Sequence, residues 1–112
     1  MKRAPSSVVA AGCAALLLYA TPGHAADCTA LLHAPFATLP DARTTISSAV
    51  DVPASADLPA HCQVRGLVAP AVHFEVRLPA DWNGKFLHEG CGGLCGDLRP
   101  ATCDDALARR SA

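Results

Sequence analysis

A glycine-rich loop at Gly90–Gly96 is the part of this sequence with the clearest chemical potential. It follows residues 85–88, which are predicted to form a short strand, and three of its glycines lie within four positions. Glycine lets a backbone approach a ligand closely because it has no side chain. Backbone N–H groups held in such a loop can stabilise the oxyanion of an acyl-transfer reaction. Gly92 and Gly93 are therefore candidate oxyanion-hole residues, and a purely structural glycine turn is the alternative.

An oxyanion hole needs a nucleophile beside it, and the sequence does not contain the usual pattern for one. The Gly-x-Ser-x-Gly elbow, which presents a nucleophilic serine, does not occur in the 112 residues. The serines, none in such a context, are Ser6, Ser7, Ser47, Ser48, Ser55 and Ser111. The second oxyanion donor normally follows the nucleophile, so it is missing as well. We expect no catalysis from this chain alone.

The residues around the loop also permit other interpretations. His88, Cys91, Cys95 and Cys103 could form a metal cluster, but Cys-x-x-x-Cys is not the usual zinc spacing. We predict no metal and no cofactor. His88 could orient the glycine loop or have a structural role, and Trp82 is interpreted as the anchor of its turn.

Residues 1–25 have the pattern of a secretory signal peptide. Lys2 and Arg3 precede an apolar run at residues 8–20, which is too short to span a bilayer. Gly23-His24-Ala25 suits a cleavage site. We therefore predict a secreted or periplasmic protein that does not associate with membranes after cleavage. A buried N-terminal helix and lipidation at Cys13 are the alternatives.

The remaining residues, 26–112, carry seven basic and ten acidic side chains, a net charge of −3. The sequence shows no basic patch, so we predict no nucleic-acid partner. An oxidising compartment favours disulfides, and the five remaining cysteines are Cys28, Cys62, Cys91, Cys95 and Cys103. We expect Cys28 to pair with Cys62. The pairing of the other three is left open.

The first predicted elements are a short helix and a strand. Asp27 can cap a helix over residues 28–33. Residues 44–52 are rich in β-branched side chains and are predicted to form a strand. The apolar side chains expected to share one face of it are Ile46, Val50 and Val52.

Residues 61–69 and 72–78 are predicted to form an antiparallel hairpin, because only a short link separates them. The second of these strands alternates with a period of two, which is typical of a half-buried strand. Its expected apolar face is Val72, Phe74, Val76 and Leu78, and its expected polar face is His73, Glu75 and Arg77.

Asn83-Gly84 predicts a turn that leads into a short strand at residues 85–88 and then into the glycine loop. A helix should follow, with Thr102 as its cap. The charged residues expected in its first and last turns are Asp104, Asp105, Arg109 and Arg110.

Four motifs in this order resemble the N-terminal part of the tannase/feruloyl esterase family. The motifs are Leu58–Gly66, Phe74–Pro79, Trp82–Phe86 and Gly90–Gly96, and the resemblance covers residues 28–109. It implies an α/β-hydrolase fold, a secreted enzyme, a Ser-His-Asp triad and small-molecule aromatic esters as substrates. It also implies a calcium site in a lid region that has no counterpart in these 112 residues.

The expected fold is α/β, an incomplete α/β-hydrolase. It would comprise an N-terminal antiparallel hairpin, a third strand, the glycine (oxyanion) loop and one helix. Residues 26–112 would thus be the N-terminal part of a truncated α/β-hydrolase domain. Two functions follow from this. One is an inactive fragment of a secreted hydrolase of galloyl- or feruloyl-type esters, because nucleophile, acid and base residues are missing. The alternative is a small exported, disulfide-stabilised module for binding or structure.

Overall fold

In the computed structural model, the described part of the chain covers residues 27–90, 92–93 and 96–112. It contains strands β1 (Thr44–Val52), β2 (His61–Val68) and β3 (Val72–Pro79) and one α-helix, α1 (Asp104–Ala108). Its 3₁₀ helices are Cys28–His33, Phe36–Thr38 and Pro100–Cys103. The predicted signal peptide and the loop cysteines Cys91 and Cys95 lie outside the described residues.

The strands form one antiparallel sheet in the order β1-β2-β3. The predicted hairpin is confirmed as β2 and β3, with Val68 opposite Val72 and His61 opposite Pro79. The Ala69–Pro70 bond in the connection between them is cis. The architecture is thus an α/β-like combination of a small sheet and short helices. The rest of the expected α/β-hydrolase sheet stays a prediction.

A β-bulge at Ser47 corrects the facing predicted for β1. Ile46 pairs with Gly66, whereas Ser48 already pairs with Arg65, so one residue of β1 has no partner. Side chains alternate along a strand, so the extra residue moves every later side chain to the other face. Ile46 packs against the core, but Val50 lies on the opposite face and is 52% exposed. The prediction that Ile46 and Val50 share a face was wrong.

The core lies where the first 3₁₀ helix packs on the sheet. Its buried residues are Cys28, Ala49, Cys62 and Val64, with Leu31, Ile46 and Val76 packed against them. The predicted bond between Cys28 and Cys62 is present, and the two cysteines are separated by 34 residues in sequence. The predicted cap is also present, since Asp27 Oδ1 accepts the Thr29 N–H at 3.0 Å. Together these contacts fasten the beginning of the described chain to the middle strand.

Residues 85–88, predicted as the third strand of the hydrolase sheet, have no strand assignment. The segment does make two backbone hydrogen bonds: Leu87 N–H donates to Ala112 at 2.7 Å, and Ala112 N–H donates to Lys85 at 3.0 Å. These bonds flank Phe86 in the pattern of a single parallel pairing. A strand needs a partner along its length, and among the described residues this segment pairs only with Ala112.

The segment after the glycine loop is helical, but its ends differ from the prediction. It begins as the 3₁₀ helix at Pro100, and the Thr102 hydroxyl donates backwards to Arg99 O at 2.8 Å instead of capping the helix. The α-helix ends at Ala108, so Arg109 and Arg110 follow it. Arg110 has φ of 63°, the left-handed conformation that commonly ends a helix. Among the described residues, no helix has the length and hydropathy needed to cross a bilayer.

Gly66→Ala is expected to destabilise the sheet. A Cβ at Gly66 would lie 2.7 Å from the backbone oxygen of Thr45 and 2.8 Å from Cε1 of Phe74. Because backbone and ring must both move, we expect a loss of about 1–3 kcal/mol in the free energy of unfolding. Urea unfolding measures it, with Gly96→Ala as the control because a Cβ there meets nothing within 4 Å. Equal stabilities of the two variants would contradict the crowding.

Removing the disulfide is expected to cost more than removing a free thiol. Replacing both Cys28 and Cys62 with serine frees a loop of 34 residues, for which chain entropy predicts a loss of about 3–4 kcal/mol. Cys103→Ser is the control, because Cys103 is not in a disulfide. Urea unfolding of the three proteins measures the difference. A double variant no less stable than Cys103→Ser would show that the crosslink contributes little.

Candidate functional site

The structure gives different reasons for a glycine at the two candidate oxyanion-hole positions, Gly92 and Gly93. Gly93 has φ of 67°, a conformation that side chains disfavour, so the turn itself favours glycine there. A Cβ placed at Gly92 would meet no atom within 4 Å, so crowding does not require glycine at this position. The structural-turn interpretation therefore accounts for Gly93 better than for Gly92. The oxyanion role of either residue stays a prediction.

A cavity of about 520 Å³ lies between the glycine loop and the beginning of β3, and we name it the loop cavity. Gly90, Gly92 and Gly96 line it from the loop side. Its other walls include His73, Glu75, His88, Glu89, Arg99 and Thr102. The backbone of Gly92 thus adjoins a space large enough for a small molecule, with polar groups around it.

The residues next to the loop are held by local contacts. The imidazole of His88 stacks on the ring of Phe86, with 6.5 Å between centroids and 22° between planes. Trp82 donates its indole N–H to Lys85 O at 2.7 Å, which agrees with its interpretation as an anchor of the turn. His88 also lines the loop cavity. Its position leaves both the orienting and the structural role open.

A buried carboxylate on β3 is the main feature that the sequence did not predict. The side chain of Glu75, assigned to the polar face of the strand, is only 4% exposed. Its Oε2 accepts from Arg65 Nε at 2.8 Å, and its Oε1 accepts from Arg77 Nε at 2.8 Å and from Gln63 Nε2 at 3.1 Å. Burial raises the pKa of Glu75, but these hydrogen bonds outweigh it and hold the pKa below its ordinary value. The carboxylate is therefore charged and fully paired at neutral pH.

The guanidinium of Arg77 joins this carboxylate to the helix after the glycine loop. Arg77 Nη1 donates to Asp104 Oδ1 at 2.5 Å, while Arg77 Nε stays on Glu75. Burial lowers the pKa of Arg77, but the two carboxylates outweigh burial and raise it. Asp104 is the first residue of α1, so one side chain of the sheet holds the beginning of the helix.

The end of the helical segment is held by Asn83, in the turn after β3. Asn83 N–H donates to Arg110 O at 2.9 Å, and its side-chain amide donates to Arg109 O at 2.7 Å and to Ser111 Oγ at 3.1 Å. Its Oδ1 accepts from Lys85 N–H at 2.8 Å. The Asn-Gly turn predicted from the sequence thus also serves as the attachment of the chain after α1.

A second cavity, of about 290 Å³, lies along the outer edge of β3. Residues 74–77 line it consecutively, and Leu107 of α1 and Phe86 face it from the other side. Leu107 is among the most deeply buried side chains that the structure describes, whereas Phe86 is 65% exposed. The helix therefore packs beside the sheet without closing the space between them.

The cysteine and metal predictions have different outcomes. Cys103 carries a free thiol of intermediate exposure, and the predicted partners Cys91 and Cys95 lie outside the described residues. Within the described residues, no group of three or more histidine, cysteine or acidic side chains could hold a metal ion. This does not test the metal interpretation, because two of its four residues are outside that part.

The Glu75 cluster could have been found from strand register. Arg65 lies directly opposite Glu75 and Gln63 opposite Arg77 in the hairpin. Opposite residues in an antiparallel pair share a face, so this register places two arginines and an amide around one carboxylate. The period-two pattern only indicated that these residues share a face. It could not indicate that the Glu75 side chain on this face is shielded from solvent.

Comparison with known proteins gives two partial similarities. Residues of this chain are 40% identical over 57 positions to mono(2-hydroxyethyl) terephthalate hydrolase from Piscinibacter sakaiensis, covering 43% of this chain and 10% of the relative. They are also 40% identical over 81 positions to an uncharacterized esterase, XCC2094, from Xanthomonas campestris pv. campestris, covering 59% of this chain and 14% of the relative. No family model and no solved structure matches.

The similarity is to a small part of each relative, since the chain spans between a tenth and a seventh of their lengths. Both relatives are hydrolases or esterases by name, so the chain is similar to part of an ester hydrolase. The disulfide between Cys28 and Cys62 agrees with an extracellular location.

Glu75→Gln is expected to flatten the pH dependence of stability. The folded pKa of Glu75 is lowered, so its stabilisation is present above the ordinary glutamate value of about 4.3 and is lost as pH falls below it. At neutral pH the variant should lose about 1–3 kcal/mol, because its amide replaces a charged acceptor. Urea unfolding between about pH 3 and pH 7 measures both effects.

The control for this substitution is Glu89→Gln, which makes the same change at an exposed position. It should keep the pH dependence of the original chain. Parallel stability profiles for the original chain and Glu75→Gln would contradict a stabilising role of the Glu75 charge.

Proposed function

We propose that this chain is the N-terminal part of a secreted carboxylic ester hydrolase and that its glycine loop contributes to the oxyanion hole. The observation that carries the proposal is the position of Gly92. Its backbone borders the loop cavity, and neither crowding nor a positive φ accounts for the glycine. The partial similarity to two ester hydrolases supports the same reaction class.

In the proposed reaction, the backbone N–H of Gly92 donates to the carbonyl oxygen of the ester as it becomes an oxyanion. The nucleophile would be a serine outside these 112 residues, activated by a histidine that an aspartate orients. Attack forms the acyl-enzyme and releases the alcohol, and water then releases the acid. The residue after that serine would supply the second N–H donor.

The proposed substrates are esters of aromatic acids. The sequence resemblance to the tannase/feruloyl esterase family supports this class. The hydrolase from Piscinibacter sakaiensis is named for an ester of terephthalate, which is also an aromatic acid. Residues 1–25 would direct export of the protein, and the disulfide fits the compartment that follows.

The first test asks what the 112 residues do alone. We expect no turnover of methyl gallate or of a p-nitrophenyl ester by the purified chain. We also expect the DNA beyond the codon for Ala112, read in all frames, to encode a Gly-x-Ser-x-Gly elbow followed by aspartate and histidine. Turnover that a serine-reactive inhibitor abolishes would show that the chain is active. Unrelated flanking sequence after a stop codon would favour the exported binding module.

The second test compares two substitutions at Gly92 in the longer esterase. Gly92→Pro removes the proposed N–H donor and should lower kcat by about 100- to 1,000-fold. Gly92→Ala keeps the N–H, and its Cβ meets no protein atom within 4 Å, so it should lower kcat much less than Gly92→Pro does. Steady-state kinetics on a p-nitrophenyl ester measures both. Equal kcat values for the two variants would exclude Gly92 as a donor.

A further inference from the structure

The glycine loop lies between two segments that are both connected to α1 or to the residues after it. Before the loop, Lys85 and Leu87 are hydrogen-bonded to Ala112. After it, the 3₁₀ helix Pro100–Cys103 runs directly into α1. The loop residues that the structure describes are exposed, so packing holds them less than the flanking elements do. Where the loop stands therefore depends on how α1 is fixed to the sheet.

Arg77 provides that attachment at the beginning of α1. Its side chain is 17% exposed and bonds two carboxylates with different atoms, Nε to Glu75 and Nη1 to Asp104. Glu75 in turn is held by Arg65 and Gln63, so Arg77 starts from a fixed point on the hairpin. A planar guanidinium with several donors can bridge two acceptors in a set geometry, whereas the rotatable donors of an ammonium group fix that geometry less well.

We propose that Arg77 is a positioning residue of the glycine loop. Glu75 fixes the guanidinium of Arg77, and this guanidinium binds Asp104. Arg77 therefore sets the position of α1. Because the loop runs into this helical segment, Arg77 also sets where the Gly92 N–H stands beside the loop cavity. The catalytic part of this inference rests on the proposed function, whereas the docking of α1 does not. Arg77 does not line the loop cavity, so it acts through Asp104 and the loop.

The first experiment measures the docking of α1 in the purified chain. Amide hydrogen exchange is followed at Arg109 and Arg110, whose N–H groups donate to carbonyls of α1, and at buried Val64 in β2 as an internal reference. In Arg77→Gln and Asp104→Asn, exchange at the helical amides should be about 5- to 30-fold faster than in the original chain. Exchange at Val64 should change much less.

Arg65→Gln is the matched control, because it removes an arginine from Glu75 but leaves the bond between Arg77 and Asp104. It should speed exchange at the helical amides much less than Arg77→Gln does. Equal exchange in Arg65→Gln and Arg77→Gln, or no change in the Arg77 and Asp104 variants, would overturn the proposal. If Arg77→Gln does not fold, Asp104→Asn decides the result, because the Asp104 side chain is 42% exposed and its replacement disturbs less.

The second experiment measures catalysis in the longer esterase with a p-nitrophenyl ester. Arg77→Gln and Asp104→Asn should each lower kcat about 10- to 100-fold, with KM within about twofold, because only the placement of the donor changes. The double variant should be no slower than Arg77→Gln, since Arg77→Gln already removes the contact with Asp104. Arg77→Lys should recover only part of the loss.

A rise in KM at constant kcat, or additive effects in the double variant, would overturn the positioning role. If the longer protein hydrolyses no ester, the proposed function is wrong, and the catalytic part of this inference is wrong with it. The exchange experiment then still decides whether Arg77 docks α1.

Discussion

The buried carboxylate of Glu75 is the constraint on which the rest of the described structure depends. A carboxylate with only 4% of its side chain exposed is tolerated when its oxygens are paired, and Arg65, Arg77 and Gln63 together meet that requirement. All three partners lie on the same hairpin. A slip of one residue between β2 and β3 would move Arg65 and Gln63 to the other face and leave the carboxylate with Arg77 as its remaining partner. The cluster therefore favours one register strongly, whatever its net contribution to stability.

The same cluster links the two halves of the described chain. One half is the sheet with its disulfide-bonded core, and the other is the helical segment that follows the glycine loop. Arg77 and Asn83 hold this segment near its two ends, the first through a charge pair and the second mainly through backbone carbonyls. Polar contacts thus do here what a broad apolar interface does in larger domains. This fits the open cavity beside Leu107 and the exposure of Phe86.

Much of the fold could be predicted from sequence where the signals are local. The hairpin, the first helix with its Asp27 cap and the Asn-Gly turn were all correct, because alternation, capping and turn chemistry act over a few residues. The strand predicted at residues 85–88 was wrong, because a strand depends on a distant partner. Among the described residues, this segment pairs only with Ala112. The prediction that Arg109 and Arg110 lie in the last turn of the helix was wrong, because α1 ends at Ala108. In the candidate site, Gly92 could be named from sequence, but Glu75 and Arg77 required the register of two strands and the position of a helix.

The bulge at Ser47 has a consequence beyond the facing of Val50. β1 is an outer strand of the sheet, and an outer strand offers unpaired N–H and C=O groups to any other extended chain. The extra residue bends the strand and breaks the regular spacing of those groups, and the Ser47 hydroxyl bonds to Arg65 O at 3.1 Å across the irregular position. A regular ladder with a second polypeptide would be interrupted at this point. A bulge of this kind is one of the features by which edge strands avoid the edge-to-edge association that leads to aggregation.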